Sequence, residues 1–164
     1  MLSITALVGV LLVLAACSRD RISTGYSPRV VAYGQPVPKG GGHYKLGAPY
    51  VVAGVRYVPR HNPAYDAEGI ASWYGRDFHG RLTANGEVYD MDDFTAAHPT
   101  LPLPSMARVT NLENGRSVVV RINDRGPFKH GRIIDLSRRA ADTLGITRQG
   151  TARVRVQYAG PAKL

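Results

Sequence analysis

The chain has 164 residues, enough for one domain with extensions and not for two large ones. Its formal charge of +9 calls for an anionic surface or polymer as partner, while 18 glycines and 11 prolines call for short strands and many turns. A single cysteine excludes a disulfide framework. The histidines have no metal-ligand spacing, so neither zinc nor another cofactor is expected.

The first sixteen residues carry no charged side chain, and residues 7–16 form an apolar run too short to span a bilayer and stay there. That is the form of an export signal. Leu14-Ala15-Ala16-Cys17 closes it and resembles a bacterial lipoprotein signal, which implies that Cys17 is lipidated after cleavage before it. By the same resemblance, Ser18 after the cysteine favours the outer membrane. Export disfavours nucleic acid as the anionic partner and leaves lipid headgroups and the carboxylates of cell-wall glycan.

Residues 17–49 are rich in Gly, Pro, Ser and basic side chains, with the run Gly40-Gly41-Gly42, and show neither a helical nor a strand period. They read as a flexible tether with a reach of roughly 30 Å. Residues 50–68 read as a hairpin extension turning at Ala53-Gly54. The compact part covers 69–160. Residues 70–75 are a strand, 83–87 a turn carrying a carboxylate, and 93–98 one helical turn stopped by Pro99. Residues 106–112 and 116–122 flank Asn114-Gly115, a hairpin signal, because both turn residues tolerate positive φ. Residues 133–136 are a short strand, Ser137 caps a helix over 138–144, and Gly145 ends it. Ala152, Val154, Val156 and Tyr158 alternate with polar residues as a closing strand. About six short strands and one helix in this length argue for an all-β chain, a small β-barrel.

Three ionisable groups stand where chemistry is feasible: Glu87, His98 and Asp124. Asp124 follows the β-branched run Val118-Val119-Val120 and precedes the turn signal Gly126-Pro127, so a rigid strand delivers a carboxylate to a tight loop. Two readings follow. Either Asp124 caps the turn and pairs with Arg121 or Arg125, or it is a proton donor with a pKa raised by burial or by a second carboxylate. The second reading requires both arginines to face elsewhere, toward substrate carboxylates, and Glu87 to lie close. A lone Trp73 is more ordinarily a core residue than a sugar platform.

Trp73-Tyr74-Gly75, Phe78-His79-Gly80-Arg81, Thr83-Ala84-Asn85-Gly86-Glu87 and Ala96-Ala97-His98-Pro99-Thr100-Leu101-Pro102 come in order. Val109-Thr110-Asn111, Asn114-Gly115, Asn123-Asp124-Arg125-Gly126-Pro127 and Ile134-Asp135-Leu136-Ser137 follow. Together these blocks, spread over residues 69–158, resemble the rare lipoprotein A (RlpA-like) family of peptidoglycan lytic transglycosylases. The resemblance implies a six-stranded double-psi β-barrel and cleavage of the MurNAc–GlcNAc β-1,4 bond without water, leaving 1,6-anhydro-MurNAc ends. It implies Asp124 as acid/base, Glu87 as supporting carboxylate, and His98 as a substrate-orienting group. Tyr74, Thr83, Asn85, Asn123 and Arg125 are implied as further substrate-binding residues. The expected partners are glycan strands and, through Cys17, a membrane of the cell envelope; a monomer is expected. The alternative is an expansin-like lipoprotein that binds peptidoglycan without cutting it.

Overall fold

A computed structural model describes residues 27–164. The expected signal and Cys17 lie outside the described residues. A hairpin, β1 (Tyr50–Val52) and β2 (Val55–Tyr57), precedes six longer-range strands: β3 (Asp66–Tyr74), β4 (Thr95–Ala97), β5 (Ser105–Asn111), β6 (Ser117–Asp124), β7 (Arg132–Ser137) and β8 (Ala152–Pro161). Helix α1 (Arg138–Leu144) joins the last two. The six strands close into a barrel in the order β3-β7-β4-β6-β5-β8. Two of its pairings are parallel, β3 with β7 and β4 with β6, and the rest are antiparallel. The expected small all-β barrel is what the chain forms.

Alternation makes the wall. Ala152, Val154 and Val156 of β8 are buried while Arg153 and Arg155 are exposed, and Ala107 and Val109 of β5 face the same interior. Val120, Ile122, Ile134 and Leu136 complete a core without solvent exposure, into which α1 lowers Ala140, Ala141 and Leu144. The helix has the predicted ends. Ser137 accepts from the Ala140 N–H, and Gly145 turns left-handed at φ 75°. The hairpin signal does a second job, since Asn111 Nδ2 and Asn114 Nδ2 donate to the Leu144 carbonyl at 3.0 and 2.9 Å. They satisfy an acceptor that the end of a helix otherwise leaves open.

One expectation gives way. Residues 93–98 form no helical turn: Thr95–Ala97 is a fully buried strand hydrogen-bonded to β6 on one side and β7 on the other. A segment this short carries no period, and two available ladders satisfy more backbone groups than one isolated turn. The described part of the tether, residues 27–49, lies along the barrel as a strap. Val30 and Val31 N–H groups donate to the Gly80 carbonyl at 2.8 and 3.0 Å, and His43 N–H donates to Asn85 O at 2.9 Å. Lys45 and Leu103 exchange a pair of backbone bonds at 2.6 and 2.9 Å. These contacts run from backbone to backbone, so they leave no hydrophobic pattern in the sequence. β3 starts at Asp66, four residues before the strand expected over 70–75, because its first half pairs with β8.

The hairpin turns where expected, with Ala53 and Gly54 at positive φ. Tyr50 stacks on Tyr57 at 5.3 Å, and Phe128 meets both rings edge-on at 5.9 and 5.5 Å. This seats the hairpin against the loop that follows Asp124.

Candidate active site

β6 delivers Asp124 through a bulge. Ala96 pairs with Ile122, but the next residue, Ala97, pairs with Asp124, so Asn123 is an extra residue in the ladder. Bulges of this kind re-aim the side chains beside them. Strict alternation would send Asp124 to the core with Val120 and Ile122. The register instead places it beside Ala97, which has Asp135 as its partner on the other side.

The Asp124 carboxyl is half-buried and accepts two backbone N–H bonds at Oδ1, from Arg125 at 2.8 Å and Ala84 at 2.9 Å. Desolvation pushes its pKa up to about 6, against the smaller pull of those two donors and of the Arg125 and Lys45 charges. The Arg125 guanidinium turns elsewhere and donates to the carbonyls of His98, Leu101 and Leu46 at 3.1, 2.6 and 2.8 Å. Arg121 turns to Glu87. Both arginines thus turn away from the Asp124 carboxyl, as the proton-donor reading requires, but they are engaged by Glu87 and by backbone carbonyls rather than aimed at substrate carboxylates.

Glu87 lives in a different environment. Arg121 reaches it with Nε at 3.2 and 3.1 Å and with Nη2 at 2.6 Å. Asn85 Nδ2 and Asn123 Nδ2 each donate to it at 2.9 Å. Burial alone would raise its pKa, but the donors from Arg121, Asn123 and Asn85 outweigh burial and hold it below the ordinary carboxylate value. Thr83 Oγ1 donates to Asn85 Oδ1 at 2.8 Å, which fixes the amide for its bond to Glu87. Thr83, Asn85, Glu87 and Asn123 are thus one network. The turn that carries it touches Asp124 through Ala84 N–H. A cavity of about 450 Å³ opens on Glu87, Arg121 and Asn123, with Lys39 and Lys163 on its wall.

His98 is 1% exposed and fully engaged. Its Nδ1 accepts from Thr100 and Leu101 N–H at 3.1 and 3.0 Å, which leaves the Nε2 proton for Tyr65 Oη at 2.9 Å. Burial, then the Arg125 charge, drives its pKa down to about 3, so the ring is neutral. Its own N–H donates to the Asp124 carbonyl at 3.0 Å. Tyr74 Oη is buried, and burial followed by the charge of Asp124 raises its pKa well above normal, against a smaller pull from Thr95.

The sequence reading did not single out the strap, Ala84, Tyr65 or Asp135 as site residues. Gly42 of the strap lies on the Glu87 network: a Cβ there would sit 2.7 Å from Glu87 Cγ and 2.8 Å from Asn85 Nδ2. Lys45 Nζ donates to the Ala84 carbonyl at 3.1 Å. The run Gly40-Gly41-Gly42 was the available signal, since a backbone that passes this close to another surface excludes side chains. Asp135 was legible as the polar residue inside Ile134-Asp135-Leu136.

This barrel and its carboxylates define a class. A family model described as "Lytic transglycolase" matches residues 66–156, and the chain belongs to this family of RlpA-like double-psi barrels. The Endolytic peptidoglycan transglycosylase RlpA of Neisseria meningitidis serogroup A is 54% identical over 122 residues, covering 74% of this chain and 51% of that protein. The protein of the same name from Pseudomonas aeruginosa is 58% identical over 116 residues, covering 70% of this chain and 34% of that protein. The one from Vibrio cholerae is 56% identical over 109 residues, covering 66% and 41%. The chain spans about half the length of the Neisseria relative, and less of the other two.

Proposed function

We propose that this protein is a lytic transglycosylase of the cell envelope that cleaves the MurNAc–GlcNAc β-1,4 bond of peptidoglycan glycan strands. Asp124 is the acid/base. Its carboxyl proton passes to the glycosidic oxygen as the bond from C1 to that oxygen breaks. The resulting carboxylate then takes the proton of the C6 hydroxyl as that oxygen closes on C1. The products are a shortened strand and a 1,6-anhydro-MurNAc end; Asp124 is protonated again and no water is consumed. One observation carries the assignment: a carboxyl held by backbone donors alone, with its pKa raised to about 6 while both nearby arginines bond elsewhere. Such a group is protonated often enough near neutral pH to act as an acid.

Glu87 is the supporting carboxylate. It stays ionised, orients Asn85 and Asn123, and through residues 83–87 keeps Ala84 N–H on Asp124. Tyr74, Thr83, Asn85, Asn123 and Arg125 serve substrate binding, directly or by holding the turns that do. His98 acts from behind the site, holding residues 98–101 and the backbone of Asp124. Mass spectrometry of products from purified sacculi tests the reading. Anhydro ends are expected; reducing ends would mean a hydrolase.

A second reading, a peptidoglycan-binding protein without cleavage, is favoured by the strap, because Gly42 lies directly on Glu87 and Asn85. Sacculi that bind the protein and release nothing would select it. We further propose that Cys17 is the lipidated terminus that anchors a monomer to the outer membrane, where cleavage serves cell-wall remodelling, daughter-cell separation included. Several acyl chains anchor stably where one does not. Cys17→Ser should free the protein from membrane fractions, and unchanged fractionation with unchanged mass would remove this proposal.

A further inference from the structure

The β1–β2 hairpin and the chain that leads from it to β3 direct their polar groups to one loop. Tyr65 Oη meets His98 Nε2 at 2.9 Å, Tyr50 Oη donates to the Pro99 carbonyl at 2.7 Å, and Arg60 N–H donates to the Thr100 carbonyl at 3.1 Å. Three consecutive residues, 98–100, are thus each held by a different residue of this extension. Tyr50 also turns its ring to the loop on the other side of Asp124, where Phe128 stands edge-on to Tyr50 and Tyr57. One side chain therefore ties together the two loops that bracket the carboxylate.

Both loops bear on Asp124. His98 N–H donates to the Asp124 carbonyl at 3.0 Å, and Arg125, whose N–H holds Asp124 Oδ1 at 2.8 Å, reaches the His98 and Leu101 carbonyls with Nη1. Beyond Arg125 the backbone has no such hold. Among the described residues Gly126, Pro127 and Phe128 belong to no strand and make no backbone hydrogen bond, so the rings of Tyr50 and Tyr57 are the anchor of this turn. The hairpin does little for the barrel in return. A two-stranded sheet is marginal by itself, neither tyrosine is among the side chains packed on the barrel core, and Val51 and Val55 are 63% and 53% exposed. The hairpin also precedes residue 66, where the family match begins. Its aromatic face is given to the two loops.

We propose that Tyr50 is a positioning residue for the cleavage reaction: its ring and hydroxyl clamp the turn after Asp124 to residues 98–100 and so hold the carboxyl in line with the glycosidic oxygen. The clamp rests on the glycan-cleaving reading above and adds to it a residue outside the barrel. Tyr50 acts through Phe128 and Pro99, not by contact with the glycan. Small misplacements of a reacting group are enough to slow a reaction, so a hold on the turn is a hold on the rate.

Two substitutions in the full chain separate the parts. Tyr50→Leu removes ring and hydroxyl, whereas Tyr50→Phe keeps the ring contacts and drops only the bond to Pro99. Initial rates of anhydro-end release are read over rising concentrations of soluble glycan strands, with amide hydrogen exchange on the same samples. In Tyr50→Leu kcat should fall at least about tenfold with KM changed less than about twofold, because a displaced acid slows turnover without weakening binding. Tyr50→Phe should keep kcat within about threefold of the wild type. The His98 and Arg125 amides should exchange faster in Tyr50→Leu, while those of Val120 and Ile122 in the barrel should not. Unchanged kcat, or unchanged exchange at His98 and Arg125, would overturn the clamp. So would a raised KM at unchanged kcat, which marks a glycan contact, or exchange that quickens as much at Val120 and Ile122, which marks a merely structural role. Where Tyr50→Leu does not fold, Phe128→Leu cuts the same contact from the other side and is judged by the same measurements. The two readings fail separately. Anhydro products from the wild type with unchanged kcat in Tyr50→Leu remove the clamp and keep the enzyme. Faster exchange confined to His98 and Arg125, in a chain that releases no anhydro ends, keeps the clamp on the loops and removes the enzyme.

Discussion

The wall that holds Asp124 and the turn that holds Glu87 are joined by several hydrogen bonds, among them Ala84 N–H to Asp124 and Asn123 Nδ2 to Glu87, yet they treat a carboxylate in opposite ways. Asp124 receives only backbone donors, at the end of a strand whose preceding residues are core, and desolvation wins. Glu87 receives a guanidinium and two amides from side chains, and the donors win. The lesson is that burial alone does not make an acid. The β6 bulge keeps the two regions distinct, because Arg121 and Asn123 stand two apart, share a face and both go to Glu87, while Asp124 is turned away from them.

The strongest way to break this contrast is Asp124→Asn, which keeps the size but cannot deliver a carboxylic proton. Turnover to anhydro products should fall at least about 10²-fold while glycan binding survives. If Asp124 were merely structural, the same variant would lose melting temperature and keep its rate per folded molecule. Both should be read on one sample.

pH sharpens the contrast, because the two groups have opposite signs. The Asp124 pKa is raised from 3.8 to about 6, so its contribution to stability is fully present below 3.8 and is lost as pH rises through about 6. The Glu87 pKa is lowered from 4.5, so its contribution is present above 4.5 and is lost as pH falls through the depressed value. Catalysis follows Asp124 alone: kcat/KM should decline about tenfold per unit above a break near pH 6. A rate flat from pH 5 to 8 would show that some other group carries the proton.

Arg121→Gln attacks the other side. Removing the guanidinium leaves a buried carboxylate with two amide donors, at a cost of about 1–3 kcal/mol, less than for a fully enclosed pair because Arg121 is partly exposed. At this chain length that is roughly 2–4 °C of melting temperature per kcal/mol. The pH break assigned to Asp124 should stay where it is.

How much of this could be read from residues depends on where the information sits. The β8 alternation, the Ser137 and Gly145 caps and the Asn114-Gly115 hairpin are local rules written in side-chain type, and the structure follows them. Strand β4 and the strap are held by backbone bonds to distant partners, which no side-chain pattern records. Asp124 and Glu87 stood out as carboxylates in turn chemistry. Their donors did not, because Ala84 contributes only an N–H and the direction of Arg121 depends on a bulge that local sequence does not announce. Asp135 sat in a quoted motif without a role, since its neighbours on β3 are set only once β3 and β7 pair.

The smallest expected effect is also the sharpest probe of the contrast, because Gly42 packs on Glu87 and Asn85 through side-chain atoms. In Gly42→Ala the new methyl would meet Glu87 Cγ at 2.7 Å, Asn85 Nδ2 at 2.8 Å and Glu87 Oε1 at 2.9 Å. Such approaches are closer than van der Waals contact allows, so something must yield. The Glu87 carboxylate is pinned by three side chains, whereas the strap is held here by one backbone bond, His43 N–H to Asn85 O at 2.9 Å. The strap should therefore give way first. The expected cost is about 1 kcal/mol or less, with faster hydrogen exchange at His43 and no change at the slow-exchanging amides of Val120 and Ile122. Asp124 should not register the change, since its two bonds come from Ala84 and Arg125 N–H and the strap's own links to these residues, at Lys45 and Leu46, lie beyond Gly42. A break in the pH–rate profile that stays near pH 6 in Gly42→Ala keeps the two regions separate. A shifted break would mean that the strap reaches Asp124 through Lys45, whose charge already lowers the Asp124 pKa slightly, and the two carboxylates would then have to be treated as one coupled site.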